Sequence, residues 1–156
     1  MKPPARAPRI SAAAPADAPA IRALLRAAGL PDEDFADHLA QFLVARRTGA
    51  VVGAVGCELH GRDALLRSLV VAPAARGAGL GGRLVERLAD AAARRGATRF
   101  FLLTTPAAEF FTRRGFVKVG RAQVPPAIAA TREFDRLCPV SATCLTRVVA
   151  PAAAKP

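Results

Sequence analysis

Apolar residues recur along the chain at two different spacings, which predict helices in some stretches and strands in others. In residues 18–30 the spacing i, i+3, i+4, i+7 marks one face of a helix, with Asp17 at the N-cap position and Gly29 at the end. A second face of this kind runs from Leu80 to Gly96. The pattern therefore predicts two amphipathic helices.

Runs of β-branched and aromatic residues, bounded by turn residues, predict the strands. They cover 9–14, two segments of 41–59 joined at Thr48–Gly49, 63–71, 98–105, 116–124 and 140–149. Shorter helices are predicted at 32–38, 106–114 and 126–134. This order of elements predicts a mixed α/β protein in which one central strand–turn–helix carries the glycines.

Length and composition bound the possible functions. The 156 residues predict one domain, 9–149, between a proline-rich leader at 1–8 and a tail at 150–156. No stretch is apolar enough to span a bilayer and the N-terminus lacks the apolar core of a secretory signal, so we expect a cytoplasmic protein without a membrane partner. Cys57, Cys138 and Cys144 lack the spacing of metal ligands, which predicts reduced thiols and no metal site.

The net charge of +11 favours an anionic partner, which is nucleic acid, a phosphorylated cofactor or a small acid. The basic residues are dispersed as singles and pairs, and the chain has no Trp and no Tyr. Because a single-strand binder needs aromatic stacking surfaces, we expect no nucleic-acid partner.

The segment VVAPAARGAGLGGRLVERL, residues 70–88, passes from a strand through a glycine-rich turn into the second helix. Gly77, Gly79 and Gly81 remove side chains where successive N–H groups face one concavity, and a helix start adds partial positive charge. Such a turn binds phosphate. The letters also fit a G-x-G-x-x-G dinucleotide site, but the acidic residue expected about twenty positions later is absent. A P-loop is excluded because no Gly-Lys-Ser/Thr follows, and a turn without a ligand remains an alternative.

Two blocks of the chain resemble conserved motifs of one enzyme family. V-x-P-x-x-R-G-x-G-L-G, from Val71 to Gly81, resembles the acetyl-coenzyme A motif of the GNAT superfamily of N-acetyltransferases, and AEFFTRRGF, from Ala108 to Phe116, resembles its second block. The resemblance implies an α/β fold over residues 9–149. Its mixed, mostly antiparallel central sheet has helices on both faces and is splayed between the fourth and fifth strands. The co-substrate would be acetyl-CoA.

The same resemblance assigns residues to the cofactor. The backbone of Leu69–Val71 would pair with the pantetheine arm, and N–H groups from Arg76 to Gly81 would bind the pyrophosphate. The expected cofactor-binding residues are Leu69, Val70, Val71, Arg76, Gly77, Ala78, Gly79, Leu80, Gly81, Thr104 and Phe111.

A narrower likeness, in LLRSLVV, LLTTPAAEFF and TREFDRLCPVSA, is to GNAT proteins encoded with arsenic-resistance genes. It implies a small, amino-acid-like amine with an acidic group as the acceptor, which suits the arginine excess. Exposed final strands, by resemblance, allow a homodimer.

The chain lacks the usual proton-transfer groups of such enzymes. Relatives use a Tyr where this chain has Phe111 and, in some, a Glu where it has Leu66. We expect the catalytic roles at Ser68, which shares the face of residue 70 in a regular strand, and at Glu133 on a short helix.

Two further residues are expected near the acceptor. Arg67 can hold a carboxylate through two hydrogen bonds, and Cys138 before Pro139 can lie close to the acceptor. Packing and surface roles are the alternatives for these residues, as for Ser68. His38 and His60 are expected to be exposed and uninvolved.

The leading hypothesis is therefore an acetyl-CoA-dependent N-acetyltransferase acting on a small amine. The alternative is an acyl-CoA-binding sensor or interaction module that lacks turnover, which the residues at 66 and 111 favour. Acetylation of protein N-termini or lysines is less favoured, because no acidic recognition groove is evident.

Overall fold

The computed structural model describes residues 7–137 and 141–149, so most of the two predicted tails lies outside it. The described residues contain seven strands, Arg9–Ala12 (β1), Phe42–Arg47 (β2), Ala50–His60 (β3), Asp63–Val71 (β4), Arg99–Thr104 (β5), Val117–Lys118 (β6) and Thr143–Val148 (β7). They form one sheet in the order β1-β2-β3-β4-β5-β7-β6.

The α-helices within the described ranges are Ala18–Ala27 (α1), Leu80–Arg94 (α2), Ala108–Thr112 (α3) and Pro126–Ala129 (α4). The short helix predicted at 32–38 is a 3-10 helix at Phe35–Gln41. Across residues 7–137 and 141–149, no helix combines the length and the apolar composition that crossing a membrane requires.

The strand directions confirm the predicted fold class. Four pairs, β1–β2, β2–β3, β5–β7 and β6–β7, are antiparallel, whereas β4 and β5 are parallel. The parallel register joins Asp63–Leu65 to Arg99–Phe101 and ends there, although β4 continues to Val71. The sheet is therefore mixed and mostly antiparallel, and its fourth and fifth strands pair only at the start of β4.

Contacts divide the chain into two compact units, and the first contains the described residues 7–56 and 68–87. The apolar face of α1 buries Ile21 and Leu25, one helical turn apart, as the spacing predicts. Two arginines of α2 donate hydrogen bonds to the backbone carbonyls of residues 8 and 10. The core cluster of this unit is Ile21, Leu25, Phe35, Phe42, Val44, Ala54 and Val70.

The second unit contains residues 57–67 and the described residues from 88 onward. Strand β5 is buried over Phe100–Leu102, which explains its continuous apolar run. The core cluster of this unit is Leu65, Phe101, Val124, Ile128, Phe134 and Cys144.

Two predicted elements of the second unit are wrong in extent. The strand predicted at 116–124 is reduced to Val117–Lys118, and a 3-10 turn follows in which the Gly120 N–H donates to the Gln123 side chain at 3.2 Å. The helix predicted at 126–134 ends at Ala129, and Glu133–Leu137 form a π-helical turn. In both places a local side-chain hydrogen bond competes with the regular backbone ladder. At the second it is the Thr131 hydroxyl, which donates to the Ile128 carbonyl at 2.7 Å.

Asp17 is the N-cap residue of α1, as predicted, but its side chain does not cap the helix. The Asp17 carboxylate makes no capping bond to α1 and instead accepts hydrogen bonds from the Arg46 guanidinium at 2.6 Å and the Ala14 N–H at 2.7 Å. The Arg46 hydrogen bond, followed by that of Ala14, lowers the pKa of Asp17 below its usual 3.8, against the opposing effect of burial. Asp17 therefore contributes a partly buried ion pair to the first unit.

Candidate functional site

The loop at residues 76–81, in the first unit, has the backbone that its glycines predict. Gly77 and Gly79 have φ angles of +90° and +80°, in the left-handed region where a side chain is strained. A Cβ on either glycine would meet no atom within 4 Å, so the space beside the loop is open. The loop thus exposes its main chain to solvent, and its last two residues begin a helix of 15 residues.

Hydrogen bonds on both sides hold this loop in place. Before it, the Ala72 N–H donates to the Val52 carbonyl at 2.8 Å, and the Arg76 Nε donates to the Val71 carbonyl at 3.0 Å. After it, the Arg83 N–H donates to the Gly79 carbonyl at 3.1 Å and so begins the helical ladder of α2. The first N–H groups of the helix have no partner in that ladder, which makes them donors for an anion.

Ser68 interrupts β4 just before its last residues. Its φ angle is +60°, which is unusual for a residue other than glycine, and its side chain is buried. The strand is not regular at this point, so alternation no longer gives Ser68 and Val70 a common face. The expected cofactor-pairing segment, Leu69–Val71, follows this irregularity and retains the extended conformation.

In the second unit, two of the predicted site residues, Arg67 and Glu133, lie close to each other. Arg67 has no exposed side-chain surface, and its Nη1 donates to Glu58 Oε2 at 2.8 Å. Its Nη2 lies 3.6 Å from Glu133 Oε1. The side chains of Glu58 and Glu133 are each 5% exposed. We call Arg67, Glu58 and Glu133 the arginine–carboxylate cluster.

His60 lies next to this cluster, and the expectation that it is exposed is wrong. It is the last residue of β3, its side chain is 31% exposed, and its Nε2 lies 3.6 Å from Glu58 Oε1. Arg67 and His60 therefore face different oxygens of the same carboxylate. The other histidine, His38, is half-buried in the 3-10 helix of the first unit, so the expectation that it is exposed is also wrong.

The second predicted motif, in α3, forms an aromatic cluster. Phe111 is buried and contacts Phe110 and Phe116 edge-on, with ring centroids 5.1 Å and 5.3 Å away. Phe110 is half-buried, with the Arg114 guanidinium 3.7 Å from its ring centroid. Thr104, at the end of β5, accepts a hydrogen bond from the Ala107 N–H at 3.1 Å. Of the two adjacent phenylalanines, Phe111 is therefore the core residue.

The two described cysteines, Cys57 and Cys144, are free and buried. Burial raises the pKa of the Cys57 thiol to about 12, with Arg95 opposing and Glu58 reinforcing the change. Burial also raises the pKa of Cys144. Both therefore stay protonated at neutral pH and pack as small apolar residues. Cys138, an expected acceptor contact, lies outside the described residues.

Sequence reasoning selected Arg67 and Glu133 but missed Glu58 and the position of His60. The available signal was a glutamate and a histidine two residues apart at the end of the apolar run AVVGAVGCELH. In a strand this spacing places both side chains on one face. An acidic residue in a buried strand needs a partner, which here is Arg67.

Comparisons with known proteins agree with this architecture. The family model described as an acetyltransferase (GNAT) domain matches residues 38–118. Over 101 residues, 64% of this chain, the sequence is 31% identical to an amino-acid acetyltransferase of Pseudomonas putida, of which the match covers 23%. The chain thus spans about a quarter of the length of this curated relative.

Solved structures give the same result. N-acetylglutamate synthase from Neisseria gonorrhoeae, complexed with coenzyme A and L-arginine, superposes with a TM-score of 0.78 at 26% identity, over 92% of this chain and 34% of that one. Rv2747 from Mycobacterium tuberculosis, in a complex that contains CoA, superposes with a TM-score of 0.78 at 25% identity, over 90% of this chain and 99% of that one. Since the family model also covers more than half of the sequence, this chain belongs to the GNAT acetyltransferase domain family.

Proposed function

We propose that this protein is an acetyl-CoA-dependent N-acetyltransferase that acetylates the amine of a small, amino-acid-like acceptor. The observation that carries the proposal is the loop at 76–81, whose two left-handed glycines precede α2. Two relatives named for amino-acid substrates support the acceptor class, the amino-acid acetyltransferase of Pseudomonas putida and the N-acetylglutamate synthase of Neisseria gonorrhoeae. The synthase and Rv2747 also contain coenzyme A, which supports the cofactor.

The residues of the loop fit a pyrophosphate group. The open space at Gly77 and Gly79 gives an anion direct access to the main chain. The N–H groups of Leu80 and Gly81 belong to the first turn of α2, where the helix dipole adds favourable charge. Arg76 is exposed and adds a formal positive charge beside them. These residues, with Ala78, would hold the cofactor phosphates.

We assign the rest of the cofactor by the family resemblance. The backbone of Leu69–Val71 would pair with the pantetheine arm, which is consistent with the end of the parallel register at Leu65. Thr104 would contact the cofactor through its hydroxyl. Phe111 would pack against it, in the place where relatives have a tyrosine. When bound, acetyl-CoA supplies the activated acetyl group.

We assign the acceptor to the arginine–carboxylate cluster. It holds two carboxylates and one guanidinium, a balance that favours a cationic group such as the ammonium of an amino acid. We propose Glu133 as a carboxylate that acts on this amine, with Arg67 as its positioning residue. An acceptor carboxylate that bound Arg67 directly would have to compete with the carboxylates of Glu58 and Glu133 for the guanidinium. For Ser68 we propose a hydrogen bond that returns a proton to the departing thiolate, and Cys138 remains a proposed acceptor contact.

Three finer proposals each rest on an observation of their own. LLRSLVV and TREFDRLCPVSA support a role in arsenic or antimetabolite resistance, which the activity with arsenic-containing amino acids would test. Val117 and Val148, 60% and 72% exposed on the last two strands of the chain, support a homodimer, which sedimentation equilibrium would test. The free thiols Cys57 and Cys144 support a cytoplasmic location, which fractionation would test.

The deciding experiment measures the release of free CoA thiol from acetyl-CoA. The acceptor panel contains amino acids, their arsenic- and phosphorus-containing analogues, and short peptides. Gly79→Asp places a strained residue and a negative charge beside the loop. Gly49→Asp is the matched control, because Gly49 also has a left-handed φ of +83° and open space around it, in the turn between β2 and β3.

We expect thiol release that depends on a small amine, is lost in Gly79→Asp and is retained in Gly49→Asp. Thiol release that is equal in both variants would contradict the assigned phosphate loop. Acetyl-CoA binding without thiol release for any acceptor would instead favour the sensor, in line with the missing tyrosine at 111. Turnover with peptides alone would overturn the proposed acceptor class.

A further inference from the structure

Glu58 and His60 form a carboxylate–imidazole pair, and the proposed function has so far given no role to His60. They lie two residues apart at the end of β3 and face the same side of the strand. Glu58 Oε1 lies 3.6 Å from His60 Nε2. The side chain of Glu58 is 5% exposed and that of His60 is 31% exposed. The pair therefore leads from a buried carboxylate to a half-exposed imidazole.

The proposed reaction releases a proton that must leave a buried site. An acceptor amine enters as R–NH3⁺ and leaves as the amide R–NH–CO–CH3, so its nitrogen loses two protons. The new C–N bond replaces the C–S bond of the thioester, and the departing thiolate takes one of the two protons. The other proton goes to solvent. A titratable side chain near the surface is the simplest outlet for it.

The two oxygens of the Glu58 carboxylate face different side chains. Oε2 accepts the hydrogen bond from Arg67, which does not titrate in proteins and so cannot pass a proton on. Oε1 faces His60. In the part of the chain that the structure describes, His60 Nε2 is buried and makes no hydrogen bond. Arg67 thus positions the carboxylate, while the opposite oxygen faces an imidazole, whose two ring nitrogens can each accept or donate a proton.

We propose that Glu58 and His60 carry to solvent the proton that acetylation of the acceptor amine releases. The inference rests on the proposed function. The proton leaves the amine for the carboxylates of the arginine–carboxylate cluster and passes from Glu58 Oε1 to His60 Nε2. The imidazole then delivers it to water at the surface. The separation of 3.6 Å is closed by a small side-chain movement or by one bridging water molecule.

Chemical rescue distinguishes this role from a purely structural one. His60→Ala removes the imidazole from a half-exposed position, which leaves a space that imidazole from solution can enter. We expect kcat to fall by about 100-fold, the lower end for a lost proton-transfer group, while the KM for acetyl-CoA stays unchanged. Added imidazole should restore kcat in proportion to its concentration, and it should leave the wild-type rate unchanged.

Two further variants serve as controls. His60→Gln fills the same space without a titratable group, so it should be slow and resistant to rescue. Glu58→Gln keeps an oxygen for Arg67 but cannot accept the proton, so imidazole should not rescue it either. Circular dichroism and acetyl-CoA affinity establish that each variant is folded and binds the cofactor.

Several outcomes overturn the inference. They are a wild-type kcat in His60→Ala, a slow His60→Ala that imidazole does not accelerate, or a Glu58→Gln variant that remains as fast as wild type. These results leave the proposed function intact, because wild-type thiol release is measured in the same assay. If the wild-type protein itself shows no acceptor-dependent thiol release, the proposed function fails, and this inference fails with it.

Discussion

The phosphate loop at 76–81 and the arginine–carboxylate cluster differ in what determines them. The loop depends on main-chain conformation, since Gly77 and Gly79 occupy left-handed φ angles and no side chain fills the space beside them. The cluster depends on side chains from three segments of the second unit, with the Arg67 side chain fully buried. The loop is a stretch of exposed backbone, and the cluster is a buried arrangement of charged side chains.

This difference predicts different responses to mutation. A buried charge that loses its partner keeps its desolvation cost, so the cluster should dominate stability. The loop lies in solvent, so changes there should affect ligand binding more than folding. Three arginine–carboxylate pairs of different exposure allow the effect of burial to be separated from the effect of charge.

The largest effect is expected for Arg67→Met. This change keeps the apolar volume but leaves Glu58 and Glu133 buried without this guanidinium. Loss of one partner from a buried pair costs about 3–5 kcal/mol in the free energy of unfolding. Chemical denaturation at neutral pH measures it. A loss below about 1 kcal/mol, typical of exposed pairs, would show that the cluster does not behave as buried.

The Asp17–Arg46 pair is next, with side-chain exposures of 7% and 35%. Asp17→Asn should reduce the free energy of unfolding at pH 7 by about 1.5–3 kcal/mol, as for a hydrogen bond to a charged group. Because the pKa of Asp17 is lowered from 3.8 in the folded state, its stabilising effect is complete above the unfolded pKa. That effect is lost as the pH falls through the lowered value.

The difference between wild type and Asp17→Asn should therefore shrink in acid. Denaturation curves at neutral pH and at a series of values below pH 4 measure this change. A difference that stays constant over the series would mean that the Asp17 charge does not stabilise the fold. The change at Arg67 should remain the larger one at neutral pH.

The same contrast explains why the sequence predicts the loop well and the cluster only in part. Glycine spacing, a preceding strand and a following helix are all local, so the loop, the strand at 63–71 and the start of α2 at Leu80 are predicted correctly. The meeting of Arg67 with Glu58 and Glu133 depends on tertiary packing, so spacing alone identifies candidates without pairing them. The left-handed φ of Ser68 has no signal in the sequence either, because the preference of serine for that conformation is weak.

The error in the extent of the strand predicted at 116–124 and the different partner of the Asp17 carboxylate have the same origin. Residues 116–124 have the composition of a strand, yet the register with β7 includes only Val117 and Lys118, followed by one hydrogen bond from the Val119 N–H to the Cys144 carbonyl. Asp17 stands at a typical capping position, but Arg46, 29 residues away, takes its carboxylate. In each case a contact that local propensity does not contain determines the structure.

A smaller effect on stability is expected at the loop itself. Gly79→Ala places a Cβ in open space but at a φ of +80°, so we expect a loss of about 1–2 kcal/mol from backbone strain alone. Thermal denaturation measures it, with Gly49→Ala as the control of equal conformation. If the loop binds phosphate through its main chain, acetyl-CoA affinity should fall in Gly79→Ala and stay unchanged in Gly49→Ala. Equal acetyl-CoA affinities in the two variants would mean that the glycine at position 79 is required for the backbone conformation and not for binding acetyl-CoA.

The smallest effect is expected for the exposed pair of Arg99 and Asp63. Arg99 Nε donates to Asp63 Oδ1 at 3.0 Å, a geometry close to that of Arg67 with Glu58, but the side chains are 49% and 18% exposed. Arg99→Met should therefore change the free energy of unfolding by only about 0–1 kcal/mol, and added salt should reduce the difference further. Denaturation of Arg99→Met beside Arg67→Met, at low and high salt, makes the comparison direct. Similar losses for both arginines would mean that pairing geometry, rather than burial, sets the contribution of the cluster.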